Sequence, residues 1–490
     1  VIEGLLLPLL LSAAPQAAIP SRPEELRFDE LRFEVPDPSR FRRELPNGVL
    51  LYIARDSTFP LVSLRIQLRQ GSYLEPGDKV GLAGLTGTLL RTGGTEKRDP
   101  AAFDEEVEFL AAGISAFGGD ARSGANLDCI TPVLDSAMDL FFEMLRRPRF
   151  DGGRLAVEKE TILEAMRQRN DDPESILARE WDWLLEGETF YRSRRMTKAH
   201  LDAIQREDLV EFHRKYWRPE NMILSVSGDI EEDAFAAKLE KYLADWPGEG
   251  APAEWPPPQP VHQARPGAYH AEKDIPQGTV VLGHAVPRWS DWKNPERAAL
   301  QIMDHILGGS GFTSRITKRI RSDEGLAYDA GSSFAFDSLG PGSFTVSFQS
   351  KNDTVALATS IAFEEIERIR SEPASEEEIA LAKASLIETF PRRFESAAQI
   401  AGTYAGDAFI GRSHDYWKTW REQVQAVTAD DVLQAAKKYL KPEEIVFLVV
   451  GKWDEIEKGD ADGRASMTDL FAGRVTHLPT RDPLTLKADP

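Results

Sequence analysis

Residues 203–228 read AIQREDLVEFHRKYWRPENMILSVSG, and residues 426–451 read AVTADDVLQAAKKYLKPEEIVFLVVG; the two align without a gap at a constant offset of 223 residues. Ala203/Ala426, Asp208/Asp431, Lys215/Lys438, Tyr216/Tyr439, Pro219/Pro442, Glu220/Glu443, Val226/Val449 and Gly228/Gly451 are identical pairs. Each copy reads as a helix ending in Tyr near a Pro, followed by an apolar strand and a Gly. One copy per half of the chain implies a duplicated domain rather than a solenoid of short units.

The order of elements upstream repeats as well. Pro46-Asn47-Gly48 is a turn signal before a strand at 49–54, and 63–67 alternates like a second strand. A short helix around Gly81 ends near Arg91-Thr92-Gly93-Gly94. Asp99-Pro100 opens another helix, with Phe103, Val107, Leu110 and Ala111 at helical spacing. Strands at 114–117 and 125–130 precede helices over 132–146, 154–169 and 176–185. In the second half, 279–285, 295–307, 327–349, 354–370 and 375–389 echo strand, helix, strand pair and two helices. The expected fold is therefore α+β, two homologous domains that each pack helices on a sheet. These domains span 26–245 and 262–455. Between them, 246–261 is rich in Pro (Pro247, Pro252, Pro256, Pro257, Pro258, Pro260) and reads as a semi-rigid linker. Residues 456–490 read as a polar tail.

Composition narrows the function. The chain has 490 residues and a net charge of −21, unsuited to nucleic acid or an anionic membrane, which demand clustered Lys and Arg. Cys129 is the single cysteine. It rules out an internal disulfide or a Cys-rich metal site, and its apolar run at 127–133 marks a buried structural thiol. Leu5-Leu6-Leu7-Pro8-Leu9-Leu10-Leu11 followed by Ser12-Ala13-Ala14 resembles the apolar core and cleavage site of a secretory signal, so 1–18 is expected to be a signal peptide and the protein periplasmic. No later apolar run reaches the ~20 residues of a membrane span. The eight His never fall three or four apart, so they read as scattered surface or core residues rather than ligands.

Several local stretches carry a family resemblance. They are Leu45-Pro46-Asn47-Gly48-Val49, Gly81-Leu82-Ala83, Ser115-Ala116-Phe117, EKETILEAMRQRNDDP at 158–173, Leu307-Gly308-Gly309, Ser314-Arg315-Ile316 and RSDEGLAY at 321–328. In order and spacing they resemble a half-length, processing-peptidase-like chain of the insulinase/pitrilysin-type metallopeptidases, the inverzincins. That resemblance implies a zinc site of H-x-x-E-H plus a distal Glu, the motif's Glu being the general base. Here the first His position is Gly84, the base position Gly87 and the second His position Thr88. The distal carboxylate, seven residues after Glu158, falls on Ala165. Glu164 is one residue early, which turns it about 100° on a helix. The resemblance thus implies no metal ligand and no catalytic residue in this chain, with zinc expected in a partner subunit that carries H-x-x-E-H.

The same resemblance implies a substrate-binding role for Arg321 and Tyr328. Arg suits peptide carbonyls, and Tyr suits a developing oxyanion. Ser115, Ala116 and Phe117 correspond to the strand along which an unfolded peptide adds. The Gly308-Gly309-Ser310-Gly311 loop fits either a peptide contact or a helix C-cap and turn. The implied function is the non-zinc subunit of a heterodimeric peptidase, inactive alone; the alternative is a structural or peptide-binding pseudoenzyme. The combined change Gly84→His, Gly87→Glu and Thr88→His is expected not to restore zinc chemistry, because Ala165 still offers no ligand. Elemental analysis should find no stoichiometric zinc in that variant, and peptide assays no cleavage.

Overall fold

Two six-stranded sheets, alike in five strands and different in one edge strand, organise the described residues. In the computed structural model, residues 22, 32–246 and 251–488 are described; the expected signal peptide at 1–18 and residues 247–250 of the linker lie outside them. The fold is that of the unit from Val35 onward. The first sheet contains β1 (Arg42–Glu44), β2 (Leu50–Arg55), β3 (Leu61–Leu68), β4 (Gly113–Phe117), β5 (Ser123–Ile130) and β6 (Met222–Gly228), in the order β1-β2-β6-β3-β5-β4. The second contains β7 (Gly267–Glu272), β8 (Gln277–Val286), β9 (Ala327–Ala335), β10 (Gly342–Lys351), β11 (Val446–Gly451) and β12 (Val475–Leu478), in the order β12-β7-β11-β8-β10-β9. In each sheet the repeated strand, β6 or β11, runs parallel to one neighbour (β2 or β7) and antiparallel to the other (β3 or β8). The α+β reading with two homologous domains is the architecture observed.

The repeat has a local cause. The helices Arg206–Tyr216 and Ala429–Tyr439 both begin with a capping box, in which Asp208 accepts from the Gln205 N–H at 2.7 Å and Asp431 from the Thr428 N–H at 2.8 Å. The duplicated Asp thus satisfies a free donor at each helix start. The duplicated Pro opens a single 3-10 turn, Pro219–Asn221 or Pro442–Glu444, which ends the helix and delivers the chain into the central strand.

Each half also covers the other's sheet. On one face of the first sheet, Leu51, Ile53, Leu64, Ile66, Leu224 and Val226 pack with α1 (Leu82–Thr92), α2 (Pro100–Phe109), α3 (Leu134–Arg146) and part of α4 (Gly152–Gln168). The alternate residues of β6, Ile223, Ser225 and Ser227, are buried too, under the helix Ala397–Ile410 from the second half. Arg69 from β3's end donates to the last carbonyls of that helix, at 2.6 Å to Ala408 and 3.2 Å to Phe409. In return, α5 (Pro173–Glu186) leaves the first half and lays Trp181 and Leu185 on Val281, Val446 and Leu448 of the second sheet, and Ile176 on Ala271 and Val450. Burial on both faces explains why β11 reads as a continuous apolar run, while β6 turns the small residues Ser225 and Ser227 to its covering helix.

The segment after 455, polar by sequence, supplies β12, which extends the second sheet in parallel with β7. It then returns to the first half. Arg481 pairs with Glu180 at 3.1 Å and Glu188 at 3.4 Å, and the Lys198 N–H donates to the Leu484 carbonyl at 2.9 Å. If each sheet depends on a helix from the other half, neither half should fold alone. Residues 32–250 and 251–490 expressed separately should lack near-ultraviolet circular dichroism and sharp melting, and mixing them should restore both.

Candidate functional site

Helix α1 starts at Gly81, whose φ of +97° is the left-handed region and whose missing Cβ leaves room for Met196, with the Met196 sulfur 3.3 Å from where that Cβ would stand. The first free N–H groups of the helix are taken by a buried carboxylate. Glu75 accepts from the Ala83 N–H at 2.7 Å and the Gly81 N–H at 3.0 Å, and Arg194 stands 3.6 Å behind it. Burial pushes the Glu75 carboxyl pKa up, against the pull of those two donors and of Arg194.

The four positions expected to be empty of metal chemistry divide into two groups. Gly84 and Thr88 are half-buried, and Gly84 faces open space. Gly87 is buried, and its Cα lies against the end of β4. A Cβ there would stand 2.8 Å from the Phe117 Cα and would overlap the Phe117 carbonyl carbon and the Gly118 amide. Reciprocally, a Cβ on Gly118 would meet the Gly84 amide at 2.9 Å and overlap the Ala83 carbonyl. Helix and strand touch backbone to backbone at the position where the family resemblance leads one to expect the general base. Ala165 is exposed on α4, and Glu164 is turned out to Arg167 and Gln168, each at 2.9 Å. Missing ligands and a filled space together mean that these residues do not fit zinc. The described residues hold no group of three metal-ligating side chains elsewhere.

The second half shows the same crossing. The helix Glu296–Asp304 runs on as a π-helical turn, His305–Gly309, and a Cβ on Gly308 would lie 2.7 Å from the Ser332 Cβ and overlap its amide. Gly308 therefore serves packing against β9, while Gly311, at φ +64°, makes the turn that follows.

Arg321 and Tyr328 come together. Arg321 lies in a second π-helical turn, Lys318–Asp323, and Tyr328 near the start of β9. The guanidinium sits 4.5 Å over the Tyr328 ring and 4.3 Å over Phe312, on the turn Gly311–Thr313. Sequence reasoning missed Phe312, although it stands in the same Gly-rich loop. Both rings are exposed, Tyr328 at 84% and Phe312 at 67%, so the stack is a surface feature rather than core. Such an arrangement holds an Arg by cation–π attraction with its in-plane donors facing outward. Tyr328 also borders a groove of ≈ 420 Å³ that reaches Thr279, Gln349 and Glu174.

Ser115, Ala116 and Phe117 lie on β4, the last strand of its sheet, which pairs only with β5 and leaves one edge for a further strand. Among the described residues no hydrogen bond, ion pair or ring contact joins β4 to the Arg321 stack. Cys129 is buried on β5, and burial pushes its thiol pKa up to about 11, as fits a structural residue. The scattered-His reading needs one correction. His270 on β7 and His477 on β12 meet with their Nδ1 atoms 2.9 Å apart, while His270 Nε2 lies 2.9 Å from the Gly451 carbonyl. Their separation of 207 residues hides this from the sequence.

Comparison with known proteins gives a consistent answer. A family model described as the peptidase M16 inactive domain matches residues 203–386. A Rickettsia bellii protein described as an uncharacterized zinc protease is 21% identical over 399 residues, 81% of this chain and 93% of its own. The chain thus carries a match to the peptidase M16 inactive domain in its middle and resembles a protein described as a zinc protease over most of its length. A Helicobacter pylori relative is described as the non-peptidase homolog YmxG and is 23% identical over 395 residues, 80% of this chain and 89% of its own. The crystal structure of a peptidase M16 inactive domain from Pseudomonas fluorescens shares the fold, with a TM-score of 0.74 and 24% identity over 84% of this chain and 98% of that one. The described residues contain no helix long and apolar enough to cross a membrane.

The two glycines of α1 should respond in opposite directions to the same change. Gly84→Ala should stabilise by roughly 0.5–1 kcal/mol, since it removes a flexible residue from a helix and meets nothing. Gly87→Ala should destabilise by about 1–3 kcal/mol or more, because backbone cannot move aside. Urea denaturation of the two variants measures both.

Proposed function

We propose that this chain is the non-catalytic subunit of a two-subunit M16 peptidase, exported to the periplasm by its N-terminal segment. A partner with an intact H-x-x-E-H would supply zinc and the general base. This chain would supply Arg321 and Tyr328 to hold an unfolded peptide, with the Ser115-Ala116-Phe117 edge accepting the peptide as an added strand. One contrast carries the reading: the metal helix is closed by backbone contact at Gly87, while the Arg321 stack is built, exposed and directed outward. A protein retained only for its fold has no need to keep an Arg between two exposed rings.

A second reading is a peptide-binding protein with no peptidase partner. The H. pylori relative's description as a non-peptidase homologue favours it. The two readings separate in one assay of the chain with its co-purifying partner. Arg321→Ala should lower kcat/KM of the reconstituted pair by about tenfold or more, and Tyr328→Phe by less, with folding unchanged. Unchanged turnover in both variants, or no peptidase activity that depends on this chain, would sink the subunit reading.

A further inference from the structure

Ala165, where the family resemblance leads one to expect a carboxylate, lines a cleft of ≈ 380 Å³ between α4 and α5. Its apolar side includes Met166 and Met196, and Met196 also lies over Gly81, so the cleft adjoins the start of α1. Its other side carries three arginines, Arg169, Arg179 and Arg195. In a chain of net charge −21 this is a local inversion of sign.

The nearby carboxylates do not balance these arginines. Arg195 pairs with Asp182. Arg179, 6% exposed, pairs with Glu180 at 3.1 Å and donates to the Asn170 side-chain oxygen at 2.9 Å, but Glu180 is shared with Arg481 at 3.1 Å. Arg169 has only the Met196 carbonyl, which both its terminal nitrogens reach at 3.1 Å, and among the described residues no carboxylate pairs with it. Burial first, then the like charges of Arg179 and Arg195, hold its pKa below the usual value. A half-buried cation with like-charged neighbours is unfavourable until an anion joins it. A carboxylate at 165 would have supplied that anion, and alanine leaves the place open.

We propose that this cleft binds the C-terminal carboxylate of a peptide, whose last side chain rests on the apolar wall beside Met166 and Met196. Arg169 and Arg179 hold the carboxylate through charge-assisted hydrogen bonds. A volume near the lower end of ligand pockets suits one terminal residue rather than a long segment. A position that holds a cation's ligand in zinc-binding relatives thereby becomes part of an anion site. The inference rests on the peptide-binding reading above but not on a peptidase partner.

Calorimetry on the isolated chain tests it, with an acetylated tetrapeptide ending in leucine as a free acid, the same peptide as its C-terminal amide, and inorganic phosphate. The free acid should bind at least about tenfold tighter than the amide or phosphate. Ala165→Glu, at an exposed position, and Arg169→Gln should each weaken the free acid to the level of the amide while melting as the parent does. Equal binding of acid and amide, phosphate binding as tight as the acid, no binding of the acid, or full affinity in both variants would overturn the proposal. Since no turnover is measured, a result against the subunit reading leaves this test standing, and the reverse holds.

Discussion

The contact on which this molecule turns is the crossing of α1 over the end of β4, where Gly87 meets Phe117 and Gly118 without an intervening side chain. Backbone-to-backbone approach of this kind requires glycine on the helix, and at this crossing the sequence provides Gly87 on the helix and Gly118 just past the strand. It leaves no room for a side chain at 87, the position where the family resemblance leads one to expect a general base. The second half makes the same contact through Gly308 and Ser332. α1 acts as a core element fixed at its start by the Glu75 carboxylate.

A second constraint keeps the domains in register. Both central strands are buried on two faces, and the second face of each is covered by a helix of the other half. The Ala397–Ile410 helix is locked by Arg69 across 339 residues of sequence, and the tail by Arg481 across 301. Neither sheet is a finished layer alone. Candidate functional surfaces therefore stand on a rigid frame. The arginine cleft belongs in part to α5, whose other face is buried in this exchange.

Charge distribution follows function more closely than fold. Most ion pairs are at least partly exposed on one partner and contribute little each. Among the buried arginines near α5, Arg179 and Arg481 share Glu180, whereas Arg169 has no acidic partner among the described residues. Arg321 is a different case. It is held by rings rather than by a carboxylate, which leaves its hydrogen-bonding plane available.

By itself the sequence determined the duplication, the order of strands and helices, and the small residues Gly84, Gly87, Thr88 and Ala165 at the positions where the family resemblance leads one to expect zinc ligands and a base. These are local properties. Capping Asp208 and Asp431, turn-forming Pro219 and Pro442, and strand alternation act within a few residues, so their pattern survives in one dimension. The Ala397–Ile410 helix escaped because Ala401, Gly402, Ala405 and Gly406 blur its apolar period, and β12 because its edge strand alternates only weakly. Tertiary structure alone decided that Gly87 is closed by Phe117 and Gly118, that Phe312 completes the Arg321 stack, that His270 meets His477, and that Arg169, Arg179 and Arg195 share one cleft with Ala165. Each of these depends on which backbones approach within van der Waals distance once two halves have exchanged helices, and that distance has no counterpart in residue spacing.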